Sequence, residues 1–251
     1  MKGPNIAPRR NNLLTTPKSK WFGCTAMVWS GICPVCGQGM GVIPALTCLH
    51  CALDLRGASQ WDCEMMMEEL AWRIPVQNAS ALWVAPSGSV AEALYKAFKF
   101  GGKRQLGPPL GAMMAAQWGG WFPPPDLLIP VPLTAKRMWS RGYNQAAELA
   151  RGMAHCWSVP VMEHALKRNE GGLNLARLGR KERFAKAATD FVQGFGPTAM
   201  NKGKDLAGLR CLLVDDVMTT GATLEQCGKL LVERGALLSV MVLARRLGSK
   251  A

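Results

Sequence analysis

Two adjacent carboxylates, Asp215 and Asp216, stand just before a run of hydroxyls and glycine, Thr219-Thr220-Gly221-Ala222-Thr223. The first N–H groups of a helix lack partners and form the positive end of its dipole. A loop that opens a helix therefore binds phosphate. Gly221 allows close backbone approach to the anion, and Thr219, Thr220 and Thr223 add hydroxyl donors. The two acids would repel phosphate itself. They suit neutral hydroxyls on the same ligand, such as those of a ribose. The residues alone therefore point to a sugar phosphate. A plain helix start, with dipole-compensating acids and a Thr cap, uses the same residue types singly; the ordered string as a whole is the signal.

A second cluster lies near the N-terminus. Cys33, Cys36, Cys48 and Cys51 form C-x2-C-x11-C-x2-C. Each CxxC turn sets two thiolates on one side of a tight loop, and two such turns complete a tetrahedron around Zn²⁺. Four cysteines fill every position, so the metal is structural and closed to substrate. A redox pair is the alternative for one CxxC, and two matched pairs argue against it. His50 replacing one cysteine is the alternative fourth donor. Cys24 and Cys63 fall outside the pattern and read as packing residues.

These residues need elements to position them. The apolar run 211–214 has the character of a buried parallel strand. After the loop, Leu224, Cys227 and Leu231 recur at helical spacing, and Glu225 precedes Lys229 by one turn. Gly235 ends that helix, and residues 237–243 form a second apolar strand. Upstream, residues 62–70 read as a helix, 81–84 as a strand and 90–98 as a helix stopped by Gly101-Gly102. Lys96, Lys99, Lys103 and Arg104 cluster at that stop, where cations ordinarily compensate the dipole. Residues 106–118 read as a helix weakened by Pro108, Pro109 and Gly111, and 126–131 as a strand. Lys136 and Arg137 follow that strand's end, where open α/β sheets bind ligands. Arg141-Gly142-Tyr143-Asn144-Gln145 opens a helix to about His155. Residues 159–162 and 165–167 are strand candidates, and Phe191 begins a return to the sheet. The basic run Arg177, Arg180, Lys181, Arg183, Lys186 reads as a solvated face, with phosphate contact as the sharper alternative.

The chain has 251 residues, 49% hydrophobic and 19% charged. It is globular, not disordered, and fits one domain with an attachment or two small domains. Residues 1–20 read as a disordered basic arm, 21–78 as the zinc module with helices, one of them at 21–29, and 79–251 as the main domain. The net charge of +13 favours an anionic ligand, an acidic partner or nucleic acid, without choosing among them. The nine cysteines do not form a secreted disulfide framework. Neither a signal peptide nor a membrane-length apolar run is visible, so a cytoplasmic location is expected.

The string Leu213-Val214-Asp215-Asp216-Val217-Met218-Thr219-Thr220-Gly221-Ala222-Thr223 resembles the motif of type I phosphoribosyltransferases that binds phosphoribosyl pyrophosphate (PRPP). The order of the four-cysteine module, Lys99-Phe100-Gly101-Gly102, Pro130-Val131-Pro132-Leu133 and Arg141-Gly142-Tyr143-Asn144-Gln145 narrows the resemblance to the competence protein F (ComF/GntX) family. It implies an α/β fold with a mostly parallel sheet flanked by helices and a small N-terminal zinc-binding module. It implies that Asp215 and Asp216 hold the ribose hydroxyls, the 219–223 loop the 5′-phosphate, and Lys136, Arg137 and Arg141 the pyrophosphate. Mg²⁺ would accompany PRPP in an active enzyme. A role in DNA uptake or utilisation during transformation is implied, with single-stranded DNA and uptake-machinery proteins as partners. Two functions remain open: phosphoribosyl transfer to an unidentified acceptor, and non-catalytic sensing of PRPP or a nucleotide by an adaptor. No catalytic base is assigned. Between Lys167 and Phe191 the chain departs from the family pattern, with Asn169-Glu170-Gly171-Gly172-Leu173-Asn174 and Lys186 at unexpected places in the segment that the resemblance implies forms a lid.

Overall fold

The computed structural model describes residues 29–43, 46–168, 191–193 and 206–246. The basic arm, the aromatic stretch 21–28, the basic run 177–186 and the family departure at 169–174 lie outside the described residues.

A four-stranded parallel sheet forms the centre. Its strands are β3 (Asn78–Val84), β4 (Leu127–Pro130), β7 (Arg210–Met218) and β8 (Leu237–Arg245), in the order β3-β8-β7-β4. Alternate residues enter two cores. Cys211, Leu213, Leu238, Val240 and Val242 face one, with helices α2 (Gln60–Ala71) and α7 (Ala222–Glu233). Leu212, Val214, Met241 and Leu243 face the other, with α3 (Val90–Phe100), α4 (Gly107–Gly119) and α6 (Gln145–Trp157). Burial on both faces explains the unbroken apolar runs; each such side chain stabilises the fold by roughly 1.5–3 kcal/mol.

Strand β7 is longer than its apolar run. Asp215 pairs in register with Val242, and Val217 and Met218 pair with Ala244 and Arg245. Pairing with β8 thus carries the strand through both acids, to the sheet's C-terminal edge. Helix α7 starts at Ala222 behind Gly221, which adopts φ +71°. Pro108 and Pro109 sit in the first turn of α4, where a missing N–H costs nothing. Helices α4 and α6 touch backbone to backbone: a Cβ on Gly111 would fall on the Leu149 carbonyl, and one on Gly152 on the Pro108 carbonyl.

Three sequence expectations around the central sheet change. The turn after β4 contains a helix, α5 (Ala135–Arg141), capped by Thr134 and ended by Gly142 at φ +76°. None of its residues is buried, so no apolar periodicity announced it. Residues 191–193 do not join the central sheet. They form β6 (Phe191–Gln193), antiparallel to β5 (Leu166–Arg168), in a separate ribbon. Residues 159–162 contribute only a single bridge, Val161 to Leu128.

The cysteine module consists of the hairpin β1 (Trp29–Ile32) and β2 (Gly39–Ile43), followed by the short helix α1 (Leu49–Leu53). Trp29 therefore belongs to a strand rather than to the end of a helix. Helix α2 begins at a capping box between Ser59 and Asp62, and Arg56 pairs with Asp62 at 3.2 Å. Met66 and Leu70 of α2 are fully buried in the core of the central sheet. The expected boundary at residues 78/79 lies next to the start of β3, whose buried side chains share one core with those of α2.

Candidate functional site

A cavity of about 390 Å³ opens at the C-terminal edge of β4, β7 and β8. Asp215, Asp216, Thr219 and Thr223 line it from the end of β7 and the loop after it, Arg137 and Arg141 from the helix after β4, and Lys96 and Arg246 from α3 and the end of β8. Helix α3 spans the cavity and touches the ends of three strands. Its Glu92 meets Arg246 after β8 at 3.6 Å. Its Lys99 Nζ meets Asp216 Oδ2 on β7 at 3.0 Å. At its C-terminal end, Phe100 lies 5.3 Å from the guanidinium of Arg141, which belongs to the segment after β4. Lys99, Lys96, Phe100 and Tyr95 all line the cavity. Reading Lys96 and Lys99 as ordinary helix-end cations was therefore incomplete, because Lys99 closes an ion pair with an acid 117 positions along the chain.

The two acids differ. Asp216 is buried and paired with Lys99. Asp215 Oδ1 accepts the Asp216 backbone N–H at 2.8 Å. Burial, and then repulsion from Asp216, pushes the Asp215 carboxyl up to about 8. One negative charge is held firmly while the second is resisted. A ligand that donates hydroxyl hydrogens to both carboxylates would relieve that repulsion; a phosphate there would increase it.

The Arg141–Gln145 string forms the joint that presents Arg141. Gly142 supplies the left-handed turn that ends α5. The Tyr143 hydroxyl donates to the Phe98 carbonyl, fixing the joint to α3. Asn144 caps α6 through the Ala146 N–H and donates to the Val131 carbonyl at 3.0 Å, fixing it to the end of β4. Gln145 Oε1 accepts from Arg141 at 3.0 Å. Arg141 is thus held by Gln145 and by the Phe100 ring. Burial lowers its pKa, and the nearby Asp216 charge acts in the opposite direction.

The hydroxyl loop has its own anchor. Arg73, at the end of α2, donates to the Thr220 carbonyl at 2.5 Å and lies 3.8 Å from both Glu69 and Glu225. Thr219 and Thr223 face the cavity. Thr220 and Ala222 are exposed, Gly221 is buried as the N-cap of α7, and none of the three lines the cavity. Arg137 and Arg141 line it, whereas Lys136 is exposed outside it. Arg168 and Arg246 also line it, and the sequence reading had missed them as site residues, along with Arg73. The Lys-Phe-Gly-Gly stretch was a usable signal for Lys99 and Phe100. No local pattern marks Arg73 or Arg246.

The four cysteines converge. The Sγ atoms of Cys33, Cys36, Cys48 and Cys51 all lie within 4.8 Å of one another. Sulfurs around a tetrahedral Zn²⁺ are separated by about 3.8 Å, so this set fits the ion. The first knuckle is closed by Cys33 N–H to the Gln38 carbonyl at 2.7 Å, with Gly37 at φ +75°. Burial raises the Cys33 thiol, but backbone hydrogen bonds to Cys36, Cys48 and Val35 outweigh it and bring it down to about 6. Burial and hydrogen bonds to the other three thiols push Cys51 up. A divalent cation would remove this conflict by stabilising all four thiolates.

Residues 140–250 match the model of the phosphoribosyl transferase domain family. Competence protein F of Haemophilus influenzae is 28% identical over 211 residues, covering 82% of this chain and 86% of that protein. Competence protein ComFC of Bacillus subtilis is 26% identical over 214 residues, covering 83% and 75%. The DNA utilization protein YhgH of Salmonella typhi is 25% identical over 231 residues, covering 89% and 95%. Among solved structures, a PRPP amidotransferase from B. subtilis aligns with TM-score 0.39 and 20% identity, over 55% of this chain and 26% of that one. A purine phosphoribosyltransferase from Pyrococcus horikoshii aligns with TM-score 0.35 and 22% identity, over 56% and 73%.

The parallel sheet, the acids at the end of β7 and the domain match define a protein of the type I phosphoribosyltransferase fold, with a four-cysteine cluster ahead of it. Relatives over most of the chain specify it further. Over most of its length the chain is similar to proteins of the competence protein F (ComF) family. No helix among the described residues is long and apolar enough to cross a membrane.

Proposed function

We propose that the cavity binds PRPP and that the protein transfers its phosphoribosyl group to an acceptor, in the service of DNA uptake or utilisation. The observation that carries this reading is the placement of two inequivalent acids between a hydroxyl loop and a cationic wall. Asp215 and Asp216 would accept the ribose hydroxyls. Thr219, Thr220, Gly221, Ala222 and Thr223 would hold the 5′-phosphate at the start of α7. Arg137 and Arg141 would hold the pyrophosphate and stabilise the charge it gains on leaving. Lys136 would reach the same group only from outside the cavity. Mg²⁺ would neutralise the pyrophosphate. With Lys99 already on Asp216, the described residues of the cavity offer it no cage of carboxylates, which suits an ion held mainly by ligand oxygens and water. Zn²⁺ would hold Cys33, Cys36, Cys48 and Cys51 together as a structural staple in a cytoplasmic protein.

Calorimetry with PRPP and Mg²⁺ tests binding, and pyrophosphate release with a panel of bases, amines and nucleotides tests transfer. Absence of a PRPP signal would sink the ligand assignment. Binding without release from any acceptor would instead favour the adaptor reading. One observation supports an adaptor: the cysteine module exposes Ile32 (62%), Leu49 (72%) and Leu53 (78%). Residues 29–55 hold no Lys or Arg, so this module suits a protein of the uptake machinery better than the phosphates of single-stranded DNA. A salt-dependent DNA affinity that disappears with the module would reverse that preference.

A further inference from the structure

The wall opposite Arg137 and Arg141 carries its own positive charge. Strands β4 and β8 flank β7 on opposite sides. Arg137 and Arg141 belong to α5, which follows β4; Arg246 follows β8, and its backbone N–H donates to the Met218 carbonyl at the end of β7 at 2.9 Å. Lys96 joins Arg246 from α3. Both are organised by Glu92, which is only 5% exposed and also accepts the Gly88 N–H at 2.7 Å. Glu92 lies 3.1 Å from Lys96 and 3.6 Å from Arg246. One carboxylate thus fixes two cations and leaves one positive charge in excess on the cavity wall.

Displacement at an anomeric carbon brings the incoming group to the face opposite the leaving group. The bond from the acceptor atom to that carbon forms as the bond to pyrophosphate breaks. Pyrophosphate departs with the electron pair, and the acceptor's proton passes to water. With pyrophosphate on the Arg137 and Arg141 side, the acceptor approaches from the side of Lys96 and Arg246. A phosphate on the acceptor would balance the excess charge of that wall, which a neutral acceptor would leave unmet. We infer that Lys96 and Arg246, held by Glu92, form an anion subsite for the acceptor, and that the acceptor carries a phosphate monoester. This inference rests on the PRPP reading above. A mononucleotide and the 5′-end of a DNA strand share the required chemistry.

The test is calorimetry on the full chain, loaded with saturating PRPP and Mg²⁺. The probes are adenosine 5′-monophosphate against adenosine, and a 5′-phosphorylated short oligothymidylate against its 5′-hydroxyl form. At least one phosphorylated probe should bind about tenfold or more tightly than its partner, the scale of a charge-assisted contact. Which pair shows the preference identifies the source of the phosphate. Lys96→Gln and Arg246→Gln, each checked for folding by its melting temperature, should bring the preference towards unity. A control change at Arg210, which pairs with Asp126 at the opposite, N-terminal end of β7, should retain it. Equal binding of both members of both pairs, displacement of PRPP by the phosphorylated probe, or a preference untouched in both variants would overturn the subsite. Absence of PRPP binding in the unaltered protein would instead remove the reading on which it rests.

Discussion

The cysteine module and the cavity edge are opposites in chemistry. Residues 29–55 carry no Lys or Arg, and the module's order depends on four thiols brought within 4.8 Å. The cavity is crowded with cations around Asp215 and Asp216, and its order comes from a parallel sheet buried on both faces. The two regions nevertheless share α3. Val90 packs against the cysteine cluster at one end of that helix, and Lys99 reaches Asp216 near the other. A region too small to bury its own core gains order from a cross-link such as a metal. The cavity edge owes its order to charges whose positions are fixed by packing. A failure in one should therefore barely reach the other.

The largest expected effect breaks the metal side. Cys51→Ser should lower zinc from about one ion per chain to nearly none, removing a folding contribution of order 10 kcal/mol to the module. Hydrogen exchange should rise across residues 29–55 and stay low in β7 and β8. PRPP affinity should change by less than about threefold, because Ser89 and the Gly88–Glu92 contact cap α3 independently of the metal. A collapse of PRPP binding would show instead that α3 transmits the loss. Second in size, Asp216→Asn removes the charge partner of Lys99 and turns one accepting carboxylate oxygen into an amide donor. PRPP should bind about 100-fold more weakly by calorimetry, or ~2.7 kcal/mol, with zinc content unchanged.

The third prediction concerns pH. The folded Asp215 carboxyl is raised to about 8, against 3.8 as the ordinary value. The folded state therefore holds this proton more tightly than the unfolded chain. Stability from this group is fully present below pH 4 and is lost as pH rises to about 8. Asp215→Asn should match the unaltered melting temperature near pH 4, exceed it by a growing margin up to pH 8, and level off beyond. A margin that does not grow with pH would place the charge conflict elsewhere.

Sequence and structure agree where the physics is local. Asp215 to Thr223 could be read because a strand end, two acids and a helix start lie within one short stretch. The four cysteines could be read because metal geometry constrains spacing. The cavity's other half was less visible. Helix α5 buries nothing, so no apolar period marks it. Lys99 acquires its meaning only when α3 packs across the end of β7. Arg246 looks like an ordinary residue after a strand until Glu92 is brought beside it. The end of β7 was placed too early, because Asp215 and Asp216 look like a break in an apolar run, whereas the ladder to β8 continues through them.

Arg73 offers the smallest effect and the finest test of the contrast. It lies in sequence between the cysteine module and the sheet, and its side chain reaches the hydroxyl loop of the cavity. Its guanidinium donates to the Thr220 carbonyl and is bracketed by Glu69 and Glu225. Contact with a backbone oxygen makes it a positioning residue: it holds the loop's shape and leaves the loop N–H groups for the ligand. The two carboxylates already offset its charge, so its value to an anion is mainly geometric. Arg73→Ala should weaken PRPP by about fivefold, the worth of one hydrogen bond at ~1 kcal/mol. Arg73→Lys should recover part of that, since an ammonium can still reach one carbonyl but loses the fork. Ribose 5-phosphate, which uses the loop without the pyrophosphate wall, should weaken by the same factor. Inorganic pyrophosphate, which does not need the loop, should be unaffected. If pyrophosphate weakened as much as ribose 5-phosphate, Arg73 would be acting as general positive charge, and its assignment to the loop would be wrong.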